Sequence, residues 1–150
     1  MSDFMEIAVQ LSKENIDNHL GGPFGCVITK DNKIVSTGVN SVVKLNDPTA
    51  HAEVMAVRKA CEELKTFDLS ECKLYTSCEP CPMCYGAIRW SRINEIYYAN
   101  TRQDAHNINF SDNEIYEEII GNKQKLIKLE NPNAIKVFEQ WKKDIDNVLY

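Results

Sequence analysis

The sequence predicts an α/β fold in which helices cover a central sheet, and three observations point to it. Apolar residues recur at helical spacing near the start of the chain, from Phe4 to Leu11. Runs rich in β-branched residues and bounded by turn residues predict strands, first at Phe24–Lys30 and Lys33–Val39. Strands and helices then alternate along the chain, which is typical of a layered α/β domain.

Each element is expected for a local reason. The first two strands form a hairpin, because Asp31-Asn32 is a turn pair between them. A helix begins near Asp47-Pro48-Thr49, with Asp47 or Thr49 as its cap, and runs to about Leu64. The other predicted elements are an opening helix ending near His19–Gly22, strands at Lys73–Thr76, Ile93–Ala99 and near Lys125–Leu129, and helices at about Pro82–Ser91, Asn113–Ile120 and Asn133–Asn147.

Composition narrows the class of protein. The chain has 150 residues, of which 43% are apolar and 26% charged, and no linker or repeat divides it, so residues 1–150 are expected to form one domain. The formal net charge of −5 makes the average surface repel polyanions. A small neutral substrate therefore suits the chain better than a nucleic acid.

Location is predicted from the absence of targeting patterns. The first twenty residues contain several charges and lack the apolar core of a signal peptide. No stretch is long and apolar enough to predict a membrane span. We therefore expect a cytoplasmic protein without a membrane partner, whose six cysteines are reduced thiols.

Two short motifs predict a zinc site: His51-Ala52-Glu53 and Pro80-Cys81-Pro82-Met83-Cys84. Two cysteines three positions apart at a helix start can point their sulfurs the same way, and the helix N-terminus favours thiolates. Alone, the cysteine pair could be a redox pair or core thiols, and His51 a surface residue. Together the motifs form the H-x-E…P-C-x-x-C signature of zinc deaminases. Three protein ligands leave the fourth position of the metal open for water.

The remaining cysteines are expected to be structural. Cys26, Cys61 and Cys72 lie on predicted apolar faces and are interpreted as core thiols. Cys78 is nearer to the motif, but zinc takes four ligands and catalysis needs one position open, so Cys78 is expected outside the metal shell.

Glu53 is the expected proton carrier. Zinc lowers the pKa of bound water from about 15.7 to about 7, which supplies a nucleophile at neutral pH. The departing amine and a ring nitrogen both need protons. Glu53, two residues after His51, lies beside the metal without having to bind it, which suits a general acid and base. Alone, this carboxylate could simply complement the helix dipole.

At these residues the chain resembles the cytidine/deoxycytidylate deaminase superfamily, and more closely the bacterial guanine deaminases. The zinc motifs are typical of the whole superfamily, whereas the features after them favour the guanine branch. The resemblance rests on Gly21-Gly22-Pro23-Phe24-Gly25, Asn40, Asn46–Glu53, Leu74–Cys84, Gly86-Ala87-Ile88, Trp90, the Phe110-to-Tyr116 stretch, Trp141 and Tyr150.

The resemblance implies a three-layer α/β/α fold with a mixed five-stranded sheet and one Zn²⁺ per subunit, held by His51, Cys81 and Cys84. It implies that Glu53 shuttles protons and that Asp112 is a second proton carrier at the amino group. It also implies a domain-swapped homodimer, in which the C-terminal segment, about residues 130–150, closes the partner's pocket. The substrate-binding residues it implies are Asn40, Phe24, Ala52, Trp90 and Tyr150.

Simpler interpretations of these residues stay open. Phe24 and Trp90 could be plain core residues, and Asp112 could cap the helix Asn113–Ile120. Tyr150 could be a frayed end. None of these alternatives needs a substrate.

Three other functions compete with guanine deamination. A tRNA adenosine deaminase shares the zinc motifs, although such enzymes typically read Pro-Val-Gly at Pro23-Phe24-Gly25 and lack a proline at Pro82. A deaminase of cytosine, guanosine or a triazine would use the same metal. A non-catalytic zinc-stabilised binding module predicts instead a closed site with four ligands, for instance through Cys78, and no need for Glu53.

Overall fold

The structure is a computed structural model that describes residues 3–150. Its helices and strands alternate as predicted, with two short helices, α2 and α5, in addition. In chain order the elements are α1 (Asp3–Asp17), β1 (Gly25–Lys30), β2 (Lys33–Val39), α2 (Val42–Leu45), α3 (Ala52–Leu64), β3 (Lys73–Cys78), α4 (Pro82–Trp90), β4 (Glu95–Asn100), α5 (Arg102–Asn107), α6 (Asn113–Ile120) and α7 (Pro132–Lys143).

The sheet is mixed, as predicted, but it has four strands in the order β2-β1-β3-β4. β1 is antiparallel to both β2 and β3, whereas β4 is parallel to β3. The prediction of a fifth strand, at residues 125–129, is wrong for the described chain: the segment has no strand structure, and Leu126 is 81% exposed. Its sequence suits a strand, but a strand needs ladder hydrogen bonds from a neighbouring backbone.

Helices cover both faces of the sheet and give the three predicted layers. α1 lies so close to β1 that a Cβ added at Gly25 would come 2.3 Å from the carbonyl oxygen of Ala8. α3 packs equally closely on the opposite face, where a Cβ at Gly38 would come 2.2 Å from the carbonyl oxygen of Ala52. Glycine is needed at both positions because only hydrogen fits between helix and strand.

The core lies between the sheet and the pair α3 and α4. Cys26, Ile28 and Leu74 from the strands pack there against Ala56 and Ile88 from the helices. Cys72 is also buried, as predicted, and Cys61 is half-buried. No described residue after Ile93 is buried. Within residues 3–150, no helix is both long enough and apolar enough to cross a membrane.

The start of α3 differs from the prediction in a way that shapes the site. The helix begins at Ala52, with His51 as its N-cap residue, so neither Asp47 nor Thr49 caps it. Asp47 instead closes a turn by accepting hydrogen bonds from the backbone N–H and the hydroxyl of Thr49, at 2.8 and 2.7 Å. Because the turn ends just before α3, His51 lies at the start of the helix. Its imidazole makes no capping hydrogen bond to the helix backbone and can contact other groups.

Candidate metal and active site

Two helix starts meet at the candidate metal site. His51 is the N-cap residue of α3 and Cys81 is the N-cap residue of α4. Pro82 occupies the first turn of α4, where its missing N–H is no loss. The backbone N–H of Cys84 donates to the sulfur of Cys81 over 3.5 Å, so both cysteines face the same way. The helix N-terminus favours negative charge on these sulfurs.

The distances within this group fit zinc. The Nδ1 atom of His51 lies 3.4 Å from the sulfur of Cys84 and 3.6 Å from the sulfur of Cys81. Tetrahedral zinc, with sulfur at about 2.3 Å and nitrogen at about 2.0 Å, separates such ligand atoms by about 3.5 Å. Across residues 3–150, this is the one group of three potential ligands whose atoms lie within 4.8 Å of one another.

The protonation of the two thiols also favours a cation between them. A hydrogen bond from Cys84, supported by His51, lowers the pKa of the Cys81 thiol to about 4. The same contact with Cys81, together with burial, raises the pKa of Cys84. Two adjacent thiolates repel each other in a buried site, and a divalent cation removes that repulsion.

Cys78 lies outside the ligand group, as predicted. Its sulfur faces the carbonyl oxygen of Thr101 at 3.7 Å, and burial raises the pKa of its thiol to about 11. The Cys78 sulfur is not among the three ligand atoms that lie within 4.8 Å of one another, because it faces Thr101 instead. The described residues therefore offer three ligands, which is the composition of a catalytic site and not of a closed structural one.

Glu53 is buried beside the metal ligands. Its side chain is 5% exposed and lines the same cavity as His51 and Cys81. One carboxylate oxygen, Oε1, accepts a hydrogen bond of 2.5 Å from the hydroxyl of Thr76 on β3. A carboxylate next to the metal but outside its ligand group can carry protons to a bound substrate.

The cavity in front of the metal ligands has a volume of about 510 Å³ and combines apolar walls with a few polar groups. Phe24 forms one wall and meets Phe110 edge-to-face, with ring centroids 5.1 Å apart. Asn40 is 8% exposed and lines the cavity from the end of β2. Such a combination is typical of small-molecule sites. The predicted residues brought together here are Phe24, Asn40, His51, Glu53, Cys81 and Asp112.

Comparison with known proteins assigns the family. Residues 1–100 match the model of the family described as the cytidine and deoxycytidylate deaminase zinc-binding region. The chain belongs to this deaminase family. The predicted family, its zinc dependence and its hydrolytic deaminase chemistry are thereby confirmed.

Individual deaminases resemble the chain to different extents. A guanine deaminase of Bacillus subtilis is 53% identical over 116 residues, which is 77% of this chain and 74% of that protein. The crystal structure of guanine deaminase from Bacillus subtilis superimposes with a TM-score of 0.95 at 42% identity and covers 100% of this chain and 99% of its own. A tRNA-specific adenosine deaminase of Aquifex aeolicus is 40% identical over 64% of this chain and 63% of its own.

Asp112 enters the deaminase pocket from the C-terminal third of the chain. Its carboxylate accepts from Nε of Arg102 at 3.0 and 3.2 Å, and the guanidinium also lies 3.8 Å from the centroid of the Tyr116 ring. Asp112 precedes α6 but makes no side-chain cap to it. The interpretation of Asp112 as only a helix cap is therefore wrong, because its carboxylate is held by Arg102 at the pocket wall.

Three predicted substrate residues do not line the pocket of the single chain. Ala52 is fully buried and packs against the sheet. Trp90, at the far end of α4, is 65% exposed, and its ring lies 6.2 Å from that of Tyr150. Their predicted contacts with substrate remain predictions.

The sequence patterns missed several residues that support the deaminase site. Arg102 belongs to no motif, and Thr76 lies in the Leu74–Cys84 stretch without a predicted role, so both are recognised only by what they contact. Asn15 of α1 donates to the carbonyl oxygens of Gly22 and Asn40, at 2.9 and 3.0 Å, and so fixes two pocket segments. An asparagine on an otherwise apolar helix face was the available signal for Asn15, since buried polar groups are normally hydrogen-bonded.

Proposed function

We propose that this chain converts guanine and water to xanthine and ammonia. The observation that carries the proposal is the buried carboxylate of Glu53 beside a three-ligand metal site that opens into a small cavity. The similarity to guanine deaminases supports this choice of base, because the structural match extends over the whole chain.

The reaction needs a nucleophile and a proton carrier. Zn²⁺ held by His51, Cys81 and Cys84 supplies Lewis acidity that lowers the pKa of water. Glu53 accepts the proton that the attacking water releases and passes it to a ring nitrogen of guanine. The water oxygen bonds to the carbon that carries the amino group. Glu53 or Asp112 then takes the remaining proton from the new hydroxyl group and passes it to the amino group, the carbon–nitrogen bond breaks, and ammonia leaves as the hydroxyl becomes the carbonyl of xanthine.

Polar groups at the pocket wall match the edge of a purine. The Asn40 amide offers both a donor and an acceptor for the ring edge. Phe24 and Phe110 supply apolar surface for the ring plane. The Asp112 carboxylate, held by Arg102, is placed to accept from the amino group. We also assign substrate contacts to Ala52, through the start of α3, to Trp90, and to Tyr150 of a neighbouring subunit.

The principal alternative is deamination of adenosine in tRNA, because tRNA-specific deaminases match about two thirds of the chain. A panel of guanine, guanosine, adenine, cytosine and tRNA, each followed by ammonia release, separates the two. Guanine deamination predicts ammonia from guanine and the appearance of xanthine. Ammonia from tRNA, or from none of the five, would overturn the proposal.

We infer that the active form is a homodimer in which residues 130–150 of one subunit close the pocket of the other. α7 carries an apolar face that meets no core in the described chain, where Phe138 is 74% exposed. Trp90 and Tyr150 lie together outside their own pocket. A second copy supplies the missing cover for both features.

Complementation between two inactive variants tests the swap. Glu53→Gln removes the proton carrier and keeps the tail, whereas deletion of residues 145–150 removes the tail and keeps Glu53. Refolding an equal mixture creates heterodimers with one complete site, so roughly a quarter of the wild-type activity returns. Recovery of no activity, with mixed dimers present, would contradict a tail that acts in trans.

The cytosol is the compartment that we propose for this enzyme. All six cysteines are free thiols in the described chain, and two of them are metal ligands. An oxidising compartment would favour a disulfide between the adjacent Cys81 and Cys84 and destroy the metal site.

A further inference from the structure

Thr76 is a buried hydroxyl beneath the active site that lines no part of the cavity. It lies on β3, where its Cα pairs with Cys26 of β1 on one side and Tyr98 of β4 on the other. Backbone ladders on both sides fix this position in the sheet. Threonine is branched at Cβ, so its side chain has few rotamers and its hydroxyl is held in one place.

Glu53, by contrast, needs an external support. It is the second residue of α3 and has three side-chain torsions between its backbone and its carboxylate. The hydroxyl of Thr76 donates to Oε1 of Glu53 over 2.5 Å, and both side chains are buried. This bond occupies one carboxylate oxygen with a fixed donor. Glu53 itself lines the cavity, so its carboxylate can exchange protons there.

We propose that Thr76 is a positioning residue that holds the Glu53 carboxylate in its proton-carrying orientation. The proposal rests on the proposed role of Glu53 as proton carrier. A proton carrier has to lie within hydrogen-bond reach of both the atom that gives the proton and the atom that receives it. A rigid strand is a more precise support for such a group than a loop.

Two pairs of variants isolate the hydroxyl. Wild type and Thr76→Val differ by the hydroxyl at nearly constant volume, and Thr76→Ser and Thr76→Ala differ by the hydroxyl alone. With guanine as substrate, each loss of the hydroxyl is expected to lower kcat about 10- to 100-fold and to leave KM within about twofold. Thr76→Ser is expected to stay within about threefold of wild type. Zinc content stays at one per chain in all variants.

Controls separate this proposal from general effects on the core. Thr29→Val removes a buried hydroxyl from the neighbouring strand β1, away from the cavity, and is expected to keep kcat. Should Thr76→Val not fold, the Ser and Ala pair gives the same comparison. Equal kcat in both members of a pair, or no rescue by serine, would overturn the positioning role.

Glu53→Gln, measured beside these variants, tests the role on which the proposal depends. If Glu53→Gln is inactive while Thr76→Val is fully active, the role of Thr76 alone is wrong. If Glu53→Gln is itself active, the role of Glu53 is wrong, and the positioning role falls with it.

Discussion

Residues 3–100, the sheet region, and residues 101–150, the C-terminal region, contribute differently to the protein. The sheet region contains every buried residue, all three metal ligands and Glu53, whereas no described residue of the C-terminal region is buried. The family match ends at residue 100, but the structure of the Bacillus subtilis guanine deaminase covers the whole chain. We infer that the sheet region carries the metal and the principal proton carrier, and that the C-terminal region completes the pocket, with Asp112 at its wall.

Loss of a metal ligand gives the largest expected effect, because the sheet region cannot act without its cation. Cys84→Ser is expected to abolish zinc binding and to lower kcat/KM by on the order of 1,000-fold or more. The zinc content of the purified variant measures metal binding, and the rate of ammonia release measures kcat/KM. Cys61→Ser, a half-buried thiol outside the cavity, is the matched control and should keep its zinc.

Glu53→Gln is expected to separate metal binding from catalysis within the sheet region. General acid and base groups contribute about 10²- to 10⁴-fold, so kcat falls by that factor while zinc remains bound. Glu63→Gln, an exposed residue of the same helix, serves as control. Wild-type turnover in Glu53→Gln would remove the carboxylate from the mechanism.

Asp112→Asn tests whether the C-terminal region reaches the reacting group. The neutral amide loses the charge-assisted contact with Arg102 and with an amino group, so kcat is expected to fall roughly 10- to 100-fold. Asp104→Asn weakens the capping box of α5 but lies outside the cavity. Equal activity in the two variants would confine the chemistry to the sheet region.

Phe138→Glu tests whether the C-terminal region is completed by a second subunit. A charge on the apolar face of α7 is expected to weaken the dimer by about tenfold or more, since a buried charge needs a partner. Light scattering coupled to size exclusion measures the shift at several concentrations. Gln140→Glu adds a charge elsewhere on α7 and is the control. An unchanged dimer would place the interface elsewhere.

The smallest expected effect concerns the turn before α3. Hydrogen bonds from Thr49 lower the pKa of the Asp47 carboxyl, so ionised Asp47 stabilises the folded state above its unfolded pKa. This contribution is lost as the pH falls through the lowered pKa, below about 4. Asp47→Asn is therefore expected to lower Tm slightly at pH 7 and by less at pH 3. The same change in Tm at both pH values would contradict the role of the ionised carboxylate.

The sequence predicted mainly those features that depend on residues close together in the chain. His51 with Glu53, and Cys81 with Cys84, each lie within a single helical turn, so their spacing predicts which side chains lie close together. The known signature of zinc deaminases predicted that the two pairs meet. β1 and β2 were predicted because β-branched runs and turn residues act locally, whereas the mixed sheet was implied by the family resemblance. The start of α3 was misplaced because Asp47 and Thr49 bond to each other in a turn, which the residue types alone do not distinguish from a cap.

Sequence patterns did not predict contacts between segments that are far apart in the chain. Arg102 holds Asp112 and Thr76 holds Glu53 through packing of separate elements, and neither pair has a fixed spacing. Residues 125–129 suit a strand but lack a neighbouring backbone, so the four-stranded sheet could not be foreseen from their composition. Trp90 and Tyr150 lie outside the pocket of their own chain, so their contacts with substrate remain predictions from the family resemblance.

X-ray absorption at the zinc edge of the purified, active protein tests the central claim most directly. One zinc per chain with two sulfur neighbours at about 2.3 Å and two nitrogen or oxygen neighbours at about 2.0 Å is the expected result, since it describes His51, Cys81, Cys84 and one solvent position. Three or four sulfur neighbours, or activity without stoichiometric zinc, would contradict an open three-ligand centre.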